Sequence, residues 1–340
     1  MTDVAGPRRG LHVTRPLAAV LSIAASLAAC GGGADPSSDG VIFRVSPVDP
    51  TSIVYIIPLG NLNPPGHTLP TSHIYLNNRQ DFVTPPPRSP VLAPADGEVK
   101  FIFRSGAEAK IGIKTDRVTY HLAHVELDGN IREGTAVTAG QRIGVTGSTS
   151  LGIDLGVINE DRTVFFVNPA RYTDEERHGD APLQYFEEPL RSQLYARVRR
   201  LGQDRNGRFD FDQSGRLAGN WFLEGLSASE SSQPSGWPKQ LAFVYDNYDP
   251  ASIRVSVGGT LPLVGAFAVQ PGALDPKDVT VTSGKVTYRL LVSAPTAGPG
   301  RQVGVLIVQM VAAERTRVEI TVGETLVDAD FTGAAKTYIR

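Results

Sequence analysis

The sequence contains one cysteine, Cys30, among 340 residues. A single thiol makes no internal disulfide, no cysteine-rich zinc site and no iron–sulfur cluster. An excess of either charge is also missing: 33 Lys and Arg stand against 35 Asp and Glu, a net of −2. There is no broad basic field for a phosphate backbone, so nucleic acid is not an expected partner. The uncharged run over residues 16–29 is too short to span a bilayer comfortably. What the chain has in plenty is Gly, 35, and Pro, 25, which favours tight turns and short strands over long helices. With 41% apolar residues it can build ordinary cores, and its length suggests about two domains.

The N-terminus reads as a targeting segment. Arg8, Arg9 and Arg15 precede the uncharged run, and Leu27-Ala28-Ala29-Cys30 closes it. A basic start, a short apolar stretch and small residues at the end make a secretory signal. Leu-Ala-Ala-Cys resembles the lipobox of bacterial lipoproteins, which implies cleavage before Cys30 and lipidation of its thiol. The other reading is an ordinary cleaved signal with a chance cysteine. Residues 31–40, beginning Gly31-Gly32-Gly33, form a flexible tether. The expected location is the bacterial envelope, lipid-anchored. Gly31 after the cysteine, where Asp would retain the protein, favours an outer membrane with the chain facing the periplasm.

The expected organisation is a signal over 1–29, the tether over 30–40, one β-domain over 41–185 and a second unit over 186–340. Residues 52–57, 97–103 and 110–124 are rich in β-branched and aromatic side chains. In the stretch 134–147 glycines punctuate single apolar residues, which suits a compact, sharply turning β-sandwich. Leu190, Leu194, Val198 and Leu201 recur at helical spacing, predicting a helix over 187–201. Strand patterns follow at 240–245, 252–257, 285–292, 302–309 and 317–322, and suggest a second all-β sandwich.

Four of the six histidines, His67, His73, His121 and His124, fall within the first β-domain. Neutral imidazole is the commonest metal ligand, so the cluster points to metal or catalysis, against the plainer reading of loop caps and polar core. On a regular strand, His121 and His124 are three apart and face opposite sides, so at most one should reach a given groove.

Residues 65–157 resemble the lysostaphin-type zinc metallopeptidases, the LytM-like domains that cleave or bind peptidoglycan. The resemblance is carried by Val91-Leu-Ala-Pro-Ala-Asp-Gly97-Glu-Val, by Tyr120-His-Leu-Ala-His124, and by the Gly134–Gly147 stretch with its Ser-Thr turn. It implies the duplicated hybrid motif, a Gly-rich antiparallel β-sandwich with its site in a groove. In that family an H-x-x-x-D motif supplies a His and an Asp to the zinc, and an H-x-H motif supplies a general base and a third ligand. His73-Ile-Tyr-Leu-Asn77 matches the first motif with Asn for Asp. His124 matches the His that stabilises the oxyanion. Asp154 and Gly156 stand where the H-x-H histidines would be. Only His73 remains of the family's ligand set, and Gly156 has no side chain to offer. A catalytic zinc needs three protein ligands and an open position. The resemblance therefore implies a degenerate member, with no firmly expected cofactor. A rearranged zinc site, drawn from His73, His121, Asp154 and His67, stays open as the rival.

Asp210, Asp212 and Ser214, followed by Gly215, mimic the first positions of a calcium loop, but Trp221 stands where the bidentate Glu belongs. An acidic hairpin turning at Asn206-Gly207 is the favoured reading, with calcium unlikely on those grounds. Ser148-Thr-Ser150 lacks the G-x-S-x-G context of a serine hydrolase. Trp221, Phe222 and Trp237 read as core aromatics, with an exposed ligand platform as the alternative. Arg191, Arg197, Arg199 and Arg200 read as the solvated face of the helix. The favoured function is non-catalytic binding of peptidoglycan or an envelope protein through the groove. The alternatives are an active endopeptidase with a rearranged metal site, or a structural module whose C-terminal domain does the recognising.

Overall fold

The computed structural model describes residues 42–82, 88–292 and 300–340. Cys30, the signal and the tether lie outside the described residues. The architecture is nearly all β, as expected.

The first sheet is built from β1 (Tyr55–Ile57), β2 (His73–Asn77), β3 (Pro90–Leu92), β4 (Gly97–Ser105), β5 (Glu108–Thr115), β6 (Val118–Leu127), β7 (Ala136–Val137), β8 (Arg142–Thr146), β9 (Gly152–Asn159) and β10 (Gly179–Asp180). Its main path runs β1-β2-β9-β6-β5-β4-β7, while β8 joins β6 to β3 and β10 adds to β9. The strand period of two sorts side chains to two faces. On β9, Ile153, Leu155 and Val157 enter the core, which places Asp154 and Gly156 on the opposite face. Ile74 and Leu76 of β2, and Tyr120 and Leu122 of β6, do the same, placing His73 and His121 beside them across the ladder.

That regularity breaks at one point. Ala109 pairs with Val125 and Ile111 with Leu122, so β6 carries one residue more than β5 there. The extra residue is taken up by a bulge, with His124 at φ 62°. The bulge resets the parity of the strand. His121 and His124 both line the groove, contrary to the expectation from regular alternation.

The C-terminal strands, read as a sandwich, close into a barrel: β11 (Gly219–Leu223), β12 (Gln240–Tyr245), β13 (Ile253–Val257), β14 (Gly265–Val269), β15 (Val286–Leu291), β16 (Gln302–Ala312), β17 (Arg315–Val322) and β18 (Lys336–Ile339). Each pairs antiparallel with the next, and β18 returns to β11 through Phe222↔Ile339 and Leu223↔Tyr338. Closure removes the exposed edges that a sandwich keeps. Trp221, Phe243, Tyr288, Leu306 and Val318 fill the interior.

The segment between sheet and barrel departs from its pattern. Only α2 (Leu190–Tyr195) is helical, not 187–201; α1 (Asp174–Arg177) and α3 (Ala228–Ser231) are single turns. After Tyr195 the chain pairs instead with β1, where Ile56 donates to Arg197 O and accepts from Arg199 N. Strand pairing overrides helical spacing here. Leu194 and Val198 are still buried, but in the first core, together with Phe209, Phe222 and Leu226. A boundary near residue 185 thus cuts through one continuous core. The arginines are only partly a solvated face: Arg191 pairs with Glu188 and Arg199 is exposed over the Tyr55 ring, but Arg197 donates to Ile53 O and Arg200 is buried against Asp204 and Asn247 carbonyls.

Candidate functional site

A cavity of about 530 Å³ opens on the polar face of β2, β9 and β6. The first sheet gives it His73, Lys110, His121, His124 and Asp154; α1 gives Glu175, and residues around β11 and β12 give Asn220, Trp237 and Gln240. Trp237, read as core, is instead a wall of the cavity, its ring stacked 6.5 Å from His67.

Register explains the centre of the site. His73 on β2 lies opposite Gly156 on β9, and Gly156 lies opposite His121 on β6. The missing side chain leaves a gap that the His121 ring fills, for a Cβ at Gly156 would meet His121 Nε2 at 2.0 Å. His121 is fully buried, and burial lowers its pKa to about 3, so it stays uncharged. His67, half-buried beside His73, is held down to about 4, chiefly by its desolvation.

Asp154 sits between two imidazoles. Its Oδ2 is 3.7 Å from His73 Nε2 and 3.6 Å from His124 Nε2. The far nitrogen of each ring faces another carboxylate: His73 Nδ1 is 3.5 Å from Glu175 Oε1, and His124 Nδ1 is 2.9 Å from Glu108 Oε2. Glu175 Oε1 also lies 3.3 Å from His121 Nε2, and its Oε2 accepts from Lys110 Nζ. Burial resists ionisation of Glu175, but a bond from His73 and the Lys110 ammonium hold its pKa well below the usual range. The neighbouring Glu176 is pushed up by burial and by Glu175.

Glu108 is a buried anchor. Burial opposes its charge, yet bonds from Thr149, His124 and Ser148 outweigh that and bring its pKa to about 2. It accepts from the backbone N–H of Ser148 at 2.6 Å and of Thr149 at 2.8 Å. One carboxylate thus fixes both the Ser-Thr turn and the His124 ring.

Of the expected site residues, the fold brings together His67, His73, His121, His124 and Asp154. It leaves Asn77 out. β2 is a regular strand, so Asn77 stands about 13 Å along it from His73 and faces Gly152, away from the cavity. The family's zinc chemistry does not fit these residues. Asn77 is remote, Gly156 offers no donor, and the Lys110 ammonium already occupies a neighbouring carboxylate. Among the described residues no group of three His, Cys, Asp or Glu is arranged to hold a metal ion.

The calcium-loop residues do not converge either. Asp210 accepts from Arg208 Nε at 2.8 Å, and Ser214 donates to Glu314 at 2.9 Å. The two oxygens of Asp212 take the N–H groups of Asn220 and Val167. Asp212 is a strap that ties the start of β11 to the first sheet's loops.

Sequence reasoning passed over Glu108, Lys110 and Glu175. The signature Thr173-Asp-Glu-Glu176 does mark a capping box, and that box forms. Nothing in it says that Glu175 turns towards His73.

No protein-family model matches the chain, and no curated protein does. Among solved structures, Helicobacter pylori Csd3 is similar at 22% identity over 36% of this chain and 31% of that one, with a TM-score of 0.28. A zinc-containing peptidase from Vibrio cholerae is similar at 20% identity over 36% and 38%, with a TM-score of 0.29. The catalytic domain of lysostaphin from Staphylococcus simulans is similar at 18% identity over 37% and 86%, with a TM-score of 0.26. The chain spans about a third of the length of the first two. Solved structures similar to part of this chain thus include peptidases of the lysostaphin type.

Proposed function

We propose that this chain is a lipid-anchored envelope protein whose groove binds peptidoglycan through its peptides and does not hydrolyse them. One observation carries the reading: Gly156 stands at the third ligand position, and the His121 ring fills the space above it. Water activation by the family's route needs a metal with three protein ligands and a base. Here the base position holds Asp154, and Asn77 lies along the strand from His73. What remains is a cavity with hydrogen-bonding groups on one side and aromatic walls on the other, the make-up of a ligand site. The motifs at 91–99, 120–124 and 134–147 support peptidoglycan as the polymer bound. Leu27-Ala-Ala-Cys30 supports the anchor and, with Gly31, an outer-membrane location facing the periplasm.

The test is to mix the purified chain with sacculi in the presence of zinc. Co-sedimentation without released peptides is the expected outcome, along with less than one equivalent of bound zinc. Peptide release by the wild type that is lost in His73→Ala or His124→Ala would replace this reading with a rearranged zinc peptidase.

A further inference from the structure

We propose that Arg171 receives a free carboxylate of the peptide held in the groove, gripping it with the unpaired edge of its guanidinium. This rests on the binding reading above and names the group that is bound. Four features carry it.

The first is an uncompensated charge. Arg171 closes the turn Pro169–Arg171, lines the cavity and is only 7% exposed. A guanidinium stays charged in proteins, and buried charges are as a rule paired. Arg171 is not: among the described residues no carboxylate forms an ion pair with it, and burial lowers its pKa. The second is a free edge. Nη1 donates to Leu226 O at 3.0 Å and to Ser231 Oγ at 2.9 Å, which anchors the head group. Nε is buried without a hydrogen-bond partner, and Nη2, on the same edge, donates to no described residue. Those two nitrogens form a fork that takes a carboxylate through two parallel bonds.

The third is a fixed plane. The Phe222 ring lies 4.8 Å from the guanidinium carbon, and that contact holds the face while leaving the edge open. The fourth is a bare acceptor nearby. Parity on β11 sends Trp221 into the barrel and turns Asn220, with Phe222, towards the first sheet. Asn220 lines the cavity, and its Nδ2 donates to the hydroxyl of Tyr172, the residue after Arg171, at 3.2 Å. Asn220 Oδ1 is buried with no partner.

A donor fork and a bare acceptor match the end of a peptide chain, whose carboxylate lies beside its last amide N–H. Phe166 and Phe209 wall the same cavity and strengthen such bonds by excluding water. Lys110, which also lines the cavity, is bonded to Glu175 and offers no such opening.

The experiment titrates the full chain by calorimetry with acetyl-alanyl-alanine and with the same peptide amidated at its C-terminus. Amidation should weaken binding about tenfold or more, since it removes the charge that the fork receives. Arg171→Gln should bind the two peptides alike, and the acid should raise the melting temperature of wild type only. Arg171→Lys keeps the charge without the fork, so it should hold the acid less tightly than wild type but above the amide. Where Arg171→Gln does not fold, Arg171→Lys carries the comparison. Equal binding, or none, of both peptides by wild type overturns the inference, whatever the variants do. An acid preference that persists in Arg171→Gln, or full acid affinity in Arg171→Lys, overturns the assignment to the fork. Displacement of the peptide by an equal concentration of acetate would reduce the site to a general anion site and sink the peptide assignment. Sacculi that co-sediment while acid and amide bind alike would sink the carboxylate site and leave the binding function standing. Sacculi that never co-sediment, with the acid peptide still preferred, would do the reverse.

Discussion

A methyl group placed on Gly156 would stand 2.0 Å from Nε2 of His121, its partner on the neighbouring strand. The two positions are complementary: the bulk absent from one is present in the other. A side chain introduced at 156 therefore meets the His121 ring first.

Gly156→His should destabilise the chain by about 1–3 kcal/mol, the cost of overpacking a filled site. It should gain no stoichiometric zinc, because Asn77 remains out of reach. Adding His121→Ala should recover part of the lost stability by vacating the space. Thermal melts and metal analysis of the single and double variants check this. Stoichiometric zinc in the single variant would contradict it.

The acid side of the stability curve should contain two windows with separate owners. His121 and His67 refuse protons in the folded state down to about pH 3 and 4, while in the unfolded chain they take them near 6.5. The unfolded state thus binds more protons, and stability falls as pH drops below 6.5. Glu108 has its folded pKa lowered from 4.5 to about 2, so its contribution is present above 4.5 and lost as pH falls from there towards 2. His121→Gln should flatten the upper window. Glu108→Gln should flatten the lower one and cost about 1.5–3 kcal/mol at pH 7, since it removes a charged acceptor from donors on three residues, Ser148, Thr149 and His124. Urea unfolding as a function of pH, done on both variants, separates them.

The first core should fail if it is cut at residue 185. Leu194 is fully buried in it, and Leu194→Ala should cost about 2–5 kcal/mol. A fragment of residues 42–185 lacks Leu194, Val198, Phe209, Phe222 and Leu226 altogether, and should show no cooperative transition. A sharp melt from that fragment would show that the sheet completes itself without them.

Arg340 should hold the barrel closed. Its guanidinium donates to the carbonyls of Gln213, Leu217, Ala218 and Asn220 and lies 4.0 Å from the Trp221 ring. Arg340→Met leaves those carbonyls without the donor and should cost roughly 3 kcal/mol or more. Arg340→Lys should recover only part, because a point charge cannot reproduce the planar fork. The fluorescence of Trp221, buried beneath the guanidinium, should report the loss at lower urea than in wild type. Unchanged midpoints in both variants would refute the role.

Much of the local structure was legible from residue order. The run Gln-Leu-Ala-Phe-Val-Tyr at 240–245 is a strand with the same ends, and residues 97–103 and 302–309 needed only lengthening. The histidine cluster, Asn77, Asp154 and Gly156 were likewise visible as residues at positions. These features depend on side-chain type and near neighbours, which the sequence states directly.

What the sequence by itself determined, then, is the β character, the turn-rich strands before residue 160 and the groove's histidines and Asp154. Only the tertiary structure decided how that inventory is used. The bulge at His124 swings a second imidazole into the groove, and strand parity gave no warning of it. Glu108, Lys110 and Glu175 become site residues because separate segments bring them to His124, His121 and His73. Val198 leaves its helix because β1 offers it a pairing partner more than a hundred residues away in the chain. The last strands form a barrel, not a sandwich, because β18 meets β11. Each of these outcomes is set by pairing between distant segments, and the energy of such pairing leaves no periodicity in the sequence that produces it.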